Sequence, residues 1–234
     1  MNKKILIIAA HPDDEVLGTG GTIARRAKEG WEVSVVFCAT GAEGRYATKQ
    51  KINSPKLSAE IKNLNTDSQK AAKILGIKNI HRLGFPDNRL DTVSRMDISH
   101  ALKEVVEKER PQIIFTHHAG DYNWDHTIVF ESALMACRPN AGDFYPREIY
   151  SFEVLSSTER AFQYGKNIFA PTHFVSIQKT IHLKKEALLA YRSEARPYPH
   201  PRSPEAVENL AKKRGNEVGL HYAEAFQLIR GIED

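Results

Sequence analysis

The feature that most constrains this 234-residue chain is the stretch from Lys4 to Glu15, KILIIAAHPDDE, where an unbroken apolar run stops on an imidazole followed by three carboxylates. A run without polar alternation marks a strand buried on both faces, which points to a parallel sheet covered by helices on each side. Pro12 cannot continue a strand ladder. Asp13 or Asp14 can cap a following helix that carries Val16, Leu17, Ile23 and Ala27 on one side. The polar cluster is thus predicted at the carboxyl end of a strand, where open α/β sheets bind ligands.

The rest of the chain repeats this alternation. Gly30 ends the first helix, and Trp31 to Thr40 reads as a second buried strand, completing a βαβ unit. Helical spacing covers Ile61–Leu75, closed by Gly76, then Asp97–Arg110, Thr127–Cys137, Ile181–Tyr191 and Pro204–Val218. Further strands are predicted at Ile80–Gly84, Ile113–Phe115, Pro146–Phe152 and His173–Ile177, with Phe152–Gly165 as a helical connection. Ala223–Ile229 suits either a last helical turn or a short strand. The expectation is one α/β domain spanning residues 1–234, without repeats or low-complexity segments. Tyr191 to Pro204, YRSEARPYPHPRSP, is rich in Pro and Arg and is read as a lid or a subunit contact, with a mobile linker as the alternative.

A net charge of +4, from scattered Lys and Arg, is weak evidence for an acidic substrate and speaks against a nucleic-acid partner. Cys38 and Cys137 lack metal-site spacing and read as buried, reduced thiols. No run reaches a membrane span, and the short apolar start does not suit a secretory signal. A cytoplasmic protein is expected. The glycines of GTGG, Gly18 to Gly21, fall inside the first helix and lack the spacing of a dinucleotide loop.

Candidate site residues follow the strand ends. His11 and Asp14, three residues apart on one turn, can both reach a Zn²⁺ ion, which accepts imidazole nitrogen and carboxylate oxygen. Asp13 between them is free to act as general base on a metal-bound water. The alternative is that these carboxylates only cap the helix and complement its dipole. A second cluster, Thr116 to His126 (THHAGDYNWDH), follows another predicted strand and holds three His, two Asp and an Asn. His126 is a candidate third ligand, with Asp125 beside it to orient an imidazole. After two other strands, Arg45 could bind a carboxylate or phosphate, and Asp87 to Arg89 could bind sugar hydroxyls. These residues could equally form solvated loops, Asx turns and a local ion pair.

AHPDDE at Ala10 to Glu15, after an N-terminal strand, resembles the signature of the PIG-L (LmbE-like) zinc-dependent deacetylases, and Asp125-His126 resembles the end of their second motif. The resemblance implies a Rossmann-like, mostly parallel sheet flanked by helices, and hydrolysis of an N-acyl group, usually from a glucosamine unit. It implies His11, Asp14 and His126 as zinc ligands, Asp13 as base, and substrate contacts from Arg45, Asp87 and Arg89; Asp121, in the second cluster, is a further candidate substrate contact. One departure stands out. Where the family commonly has His-Pro-Asp-His, this chain has Asn123-Trp124-Asp125-His126. Asn123 can donate to an oxyanion but cannot transfer a proton. Either Asp13 performs both proton transfers, or His117 or His118 supplies the acid.

The expected activity is removal of an N-acetyl group from an amino sugar, free or linked to a nucleotide or lipid, by attack of a zinc-bound hydroxide; other divalent transition metals fit the same ligands. The alternatives are an amidase acting on a thiol-cofactor precursor or conjugate, a non-catalytic sugar- or nucleotide-binding module, and a relative that keeps zinc without turnover. The partner is a small N-acetylated molecule, and a homo-oligomer is compatible with the sequence.

Overall fold

The computed structural model describes residues 3–45 and 54–233. Its centre is a seven-stranded sheet of β1 (Lys4–Ala9), β2 (Glu32–Ala39), β3 (Asn79–Phe85), β4 (Ile113–His117), β5 (Glu148–Phe152), β6 (His173–Ser176) and β7 (Ala223–Gly231), in the order β3-β2-β1-β4-β5-β7-β6. Strands β1 to β5 are parallel, and β7 lies antiparallel between β5 and β6. The α/β, mostly parallel sheet predicted from the apolar runs is therefore present.

Both faces of β1 are buried. Ile5, Ile7 and Ala9 pack with α1 (Asp14–Lys28), α2 (Pro55–Leu75), α5 (Ile181–Ala190) and α6 (Pro204–Asn216), whereas Leu6 and Ile8 pack with α3 (Arg95–Glu109) and α4 (Trp124–Ala136). The order reverses at β1 and β4: the chain proceeds outward to β2 and β3 on one side and to β5 on the other. A crevice opens at such a switch point, outside the carboxyl ends of the strands. His11 follows β1 and His117 closes β4, so both polar clusters meet there.

Several boundaries differ from expectation for local reasons. Helix α2 begins at Pro55, not Ile61, because Ser54 caps it by accepting from the Leu57 N–H (3.2 Å) and Pro55 suits a first turn. Helix α4 begins at Trp124, with the Asn123 side chain accepting from the Asp125 N–H (2.9 Å). The segment after Phe152 contains only single 3₁₀ turns, at Thr158–Arg160 and Gly165–Asn167. The Ser157 and Thr158 hydroxyls are drawn onto Asp121, and Thr158 Oγ1 also accepts from the Val154 N–H. Ala223–Gly231 is a strand because it has partners on both sides, β5 and β6.

The GTGG glycines serve close packing. A Cβ on Gly18 would overlap the Phe152 ring, one on Gly21 would come within 2.7 Å of Ile177, and one on Gly20 would press on Lys184. Lys184, buried, donates to the Leu17 carbonyl (2.8 Å) and to Glu224 (2.6 Å), while Glu224 accepts the Gly21 and Thr22 N–H groups (2.9 and 2.7 Å). This pair ties α1, which carries Asp14, to α5 and β7. Cys38 and Cys137 are buried and free, and burial pushes both thiols up to about 12. Among the described residues no helix is long and apolar enough to cross a membrane.

Candidate metal and substrate site

The chain turns sharply as it leaves β1. Asp14 Oδ2 accepts the His11 N–H at 2.8 Å, folding the turn back on itself. In this turn Asp13 takes φ of 112°, a backbone conformation that non-glycine residues rarely adopt. The His11 and His126 rings approach the same carboxylate oxygen: His11 Nδ1 and His126 Nε2 each lie 3.4 Å from Asp14 Oδ2.

Each imidazole is backed by a carboxylate on its far nitrogen. His11 Nε2 lies 3.1 Å from Asp125 and 3.0 Å from Asp87, and His126 Nδ1 lies 3.2 Å from Asp121. These carboxylates are themselves fixed. Asp125 accepts the Asn88 and Leu90 N–H groups (2.7 and 3.1 Å), and Asp121 accepts the Asn123 N–H (2.9 Å) and the Ser157 and Thr158 hydroxyls. His117 lies beneath, wholly buried, stacked on His126 at 3.9 Å, with Nε2 accepting the Ala10 N–H at 2.8 Å.

This donor set fits a tetrahedral metal. With bonds of about 2.0–2.1 Å at a tetrahedral angle, ligand atoms stand roughly 3.3–3.4 Å apart. The two nitrogen-to-oxygen spacings match, and a carboxylate behind each imidazole is the usual way of fixing its tautomer. Asp87 and Asp125 with His11 form a second group of donors within reach of one another. Its two carboxylates flank a single ring nitrogen, His11 Nε2, whereas two imidazoles face Asp14, so the His11, Asp14, His126 group is the better cradle.

The electrostatics agree. Burial alone would lower the His11 and His126 pKa values. Asp125, Asp14 and Asp87 instead raise His11 well above the usual imidazole range, and Asp14 and Asp121 push His126 up to about 9. A field that favours imidazolium here also favours a metal cation. Burial would raise Asp14, yet His126, His117 and His11 hold it well below the usual carboxylate range. Burial and the neighbouring His126 push His117 down to about 3, leaving it a neutral acceptor.

Beside these residues opens a polar cavity of about 310 Å³, lined by His11, Asp13, Asp87, Asn123, Arg196 and Arg202 among others. Burial raises the Asp13 pKa well above the carboxylate range, and Arg202, with Nη1 3.1 Å from Oδ2, acts in the opposite sense. Arg202 also binds Glu194 (2.8 Å) and Ser156 (3.0 Å).

The sequence model of one family, PIG-L, described as GlcNAc-PI de-N-acetylase, matches residues 6–137, which include both polar clusters. The chain belongs to the PIG-L family. It is 31% identical over 141 residues to the uncharacterized deacetylase YaiS of Escherichia coli, covering 58% of this chain and 69% of that relative. It is 26% identical to the diacetylchitobiose deacetylase of Thermococcus kodakarensis, covering 98% of this chain and 84% of the relative. The solved N,N'-diacetylchitobiose deacetylase of Pyrococcus horikoshii superposes with a TM-score of 0.76 at 25% identity, covering 98% of this chain and 84% of that one.

Set against the residues that the PIG-L resemblance singled out, the structure brings His11, Asp13, Asp14, Asp87, Asn123, Asp125 and His126 together at one strand-end crevice. Others lie elsewhere. Asp121, expected to touch substrate, sits behind His126 and does not line the cavity. Asp125, expected to orient an imidazole, is bonded to His11 Nε2, and Asp121 stands behind His126. His118 points away, with Nε2 3.3 Å from the Asn167 carbonyl and its ring against Phe169. Arg89 does not line the cavity either. The Arg45 side chain lies outside the described residues, as does most of the Gly41–Lys51 loop. Arg202 and Arg196 were missed as individual residues. The Pro- and Arg-rich stretch that carries them was the available signal, and it folds onto the crevice.

Proposed function

We propose that this PIG-L chain is a Zn²⁺-dependent N-deacetylase that hydrolyses the N-acetyl group of an amino sugar of the N-acetylglucosamine type. The observation that carries the reading is the pair of imidazoles turned onto one oxygen of Asp14, each backed by a carboxylate, beside a polar cavity that contains Asp13. Relatives bearing the name diacetylchitobiose deacetylase support the substrate class.

His11, Asp14 and His126 would hold the ion. When bound, the metal supplies a Lewis acid that polarises the acyl carbonyl and acidifies a water. Asp13 takes the proton from the attacking water, and Arg202 favours the ionised form that burial opposes. Asn123 spends its oxygen on the Asp125 N–H and one amide hydrogen on Asn88 Oδ1 (3.5 Å), so its other amide hydrogen is left to donate to the developing oxyanion. Asp13 then returns the proton to the leaving nitrogen. The candidate acids His117 and His118 are poorly placed for this step: Ala10 occupies Nε2 of the first, and the second turns toward Asn167.

The test is acetate release from free, disaccharide, nucleotide-linked and lipid-linked N-acetylglucosamine, before chelation, after it and with zinc restored. Release that is lost and regained supports the reading. Asp13→Asn should cost about 10²- to 10⁴-fold in kcat with zinc still bound. Undiminished turnover in that variant would remove Asp13 from the mechanism.

A further inference from the structure

Five aromatic side chains are exposed among the described residues, Tyr122, Trp124, Phe162, Tyr164 and Tyr198, at 57 to 79% of their surface. Tyr122, Trp124 and Tyr198 lie in two stretches that also line the cavity, through Asn123 and through Glu194, Arg196 and Arg202. Tyr122 and Trp124 flank Asn123, Phe162 and Tyr164 follow the Ser157–Thr158 pair that holds Asp121, and Tyr198 lies between Arg196 and Arg202.

Trp124 differs from the others in being tied to the cavity wall. Its indole Nε1 donates to the carbonyl of Asn88, a cavity-lining residue, at 3.2 Å. It is also the first residue of α4, between Asn123 in the cavity and Asp125 on His11. With its one polar atom engaged, the 57% of Trp124 that remains exposed is mainly a flat, apolar surface whose orientation is fixed. Little ordering entropy remains to be lost when a ligand lies on it.

The cavity, about 310 Å³, is at the small end for ligand sites. One acylated sugar unit occupies such a volume, so the next ring must lie at the rim. A pyranose ring carries its hydroxyls around its edge and presents C–H groups on its faces, which suits an aromatic plane. We propose that Trp124 is the platform of a second subsite, stacking against the sugar ring linked to the N-acetylated unit and favouring an oligosaccharide over a free monosaccharide. The choice of an N-acetylated substrate rests on the deacetylase reading; the subsite itself can be tested without turnover.

The chain has two tryptophans, and Trp31 lies at the opposite, amino-terminal end of β2, over Arg26. A Trp31→Phe protein therefore leaves Trp124 as the sole indole reporter. Titration with the β-1,4-linked N-acetylglucosamine disaccharide should shift its emission to shorter wavelength and saturate, with a smaller response to the monosaccharide. In turnover, Trp124→Ala should lower the ratio of kcat/KM for disaccharide over monosaccharide by roughly fivefold to tenfold, and Trp124→Phe should keep most of that ratio. Emission that ignores the disaccharide, or that shifts only with protein concentration, would overturn the subsite, as would an equal loss on both substrates. An emission response without acetate release from either sugar would instead refute the deacetylase reading and leave the subsite standing.

Discussion

Asp121→Asn separates the charge behind His126 from the scaffold that surrounds it. Asp121 Oδ1 faces His126 Nδ1 and accepts from Ser157 Oγ and the Asn123 N–H, while Oδ2 accepts from Thr158 Oγ1. An asparagine keeps the Oδ1 acceptor and places its NH₂ against Thr158, whose hydroxyl can turn to accept. The fold should be little disturbed, but the imidazole loses the carboxylate that strengthens it as a ligand. Losses at such outer partners run to about 10–100-fold in metal affinity, which is about 1.4–2.7 kcal/mol. Competition with a chromogenic chelator would measure zinc affinity, and thermal unfolding of the metal-free protein would measure the scaffold. Asp121→Ala is the contrast: it strips the acceptor from buried groups at about 1–3 kcal/mol each and should lower Tm as well as affinity. Unchanged zinc affinity in Asp121→Asn, with an unchanged Tm, would refute the argument that Asp121 acts through His126.

Two further outcomes follow from pairs outside the crevice. Lys184→Met should cost about 3 kcal/mol by leaving Glu224 buried without its cation, and the Lys184→Met/Glu224→Leu double variant should stay below wild type, because Gly21 and Thr22 N–H then lose their acceptor; a double variant as stable as wild type in urea unfolding would show the pair is no more than an ion pair. Burial raises the Glu109 carboxyl, but hydrogen bonds from Ser34, His81 and Asn79 outweigh it and lower its pKa from 4.5, so its contribution to stability is present above that value and is lost as pH falls through the lower folded one. Glu109→Gln should therefore flatten the acid limb of a stability–pH curve, and an acid limb of unchanged slope would contradict this.

What the sequence revealed depended on range. Strand β1 was legible because burial on both faces removes polar alternation, and His11, Asp13 and Asp14 were legible because one turn brings them together. Which imidazole Asp125 orients is not legible in the sequence, because adjacency in sequence is not adjacency in a helix: neighbours i and i+1 project in different directions. With α4 starting at Trp124, Asp125 turns to His11 while His126 is served by Asp121 from the preceding loop. Arg202 escaped because a bare Pro-rich segment carries no periodicity to say where it docks. Its partner in the crevice lies almost the whole chain away.

The same long range explains how Asp13 is held. A non-glycine residue at φ of 112° costs on the order of 1–3 kcal/mol and persists only when its surroundings over-determine it. Here they do. The Asp13 N–H donates to Glu15 (3.0 Å), whose other oxygen accepts the Tyr191 hydroxyl from 176 positions away (2.6 Å). Burial pushes Glu15 up to about 7, against the Tyr191 and Asp13 donors. Arg202, from the same segment that follows Tyr191, grips the Asp13 side chain. Backbone and carboxylate of Asp13 are thus fixed by the two ends of one C-terminal strap. In the proposed reaction, where Asn123 cannot transfer a proton, that rigidity falls on Asp13, the cavity-lining carboxylate assigned both proton transfers.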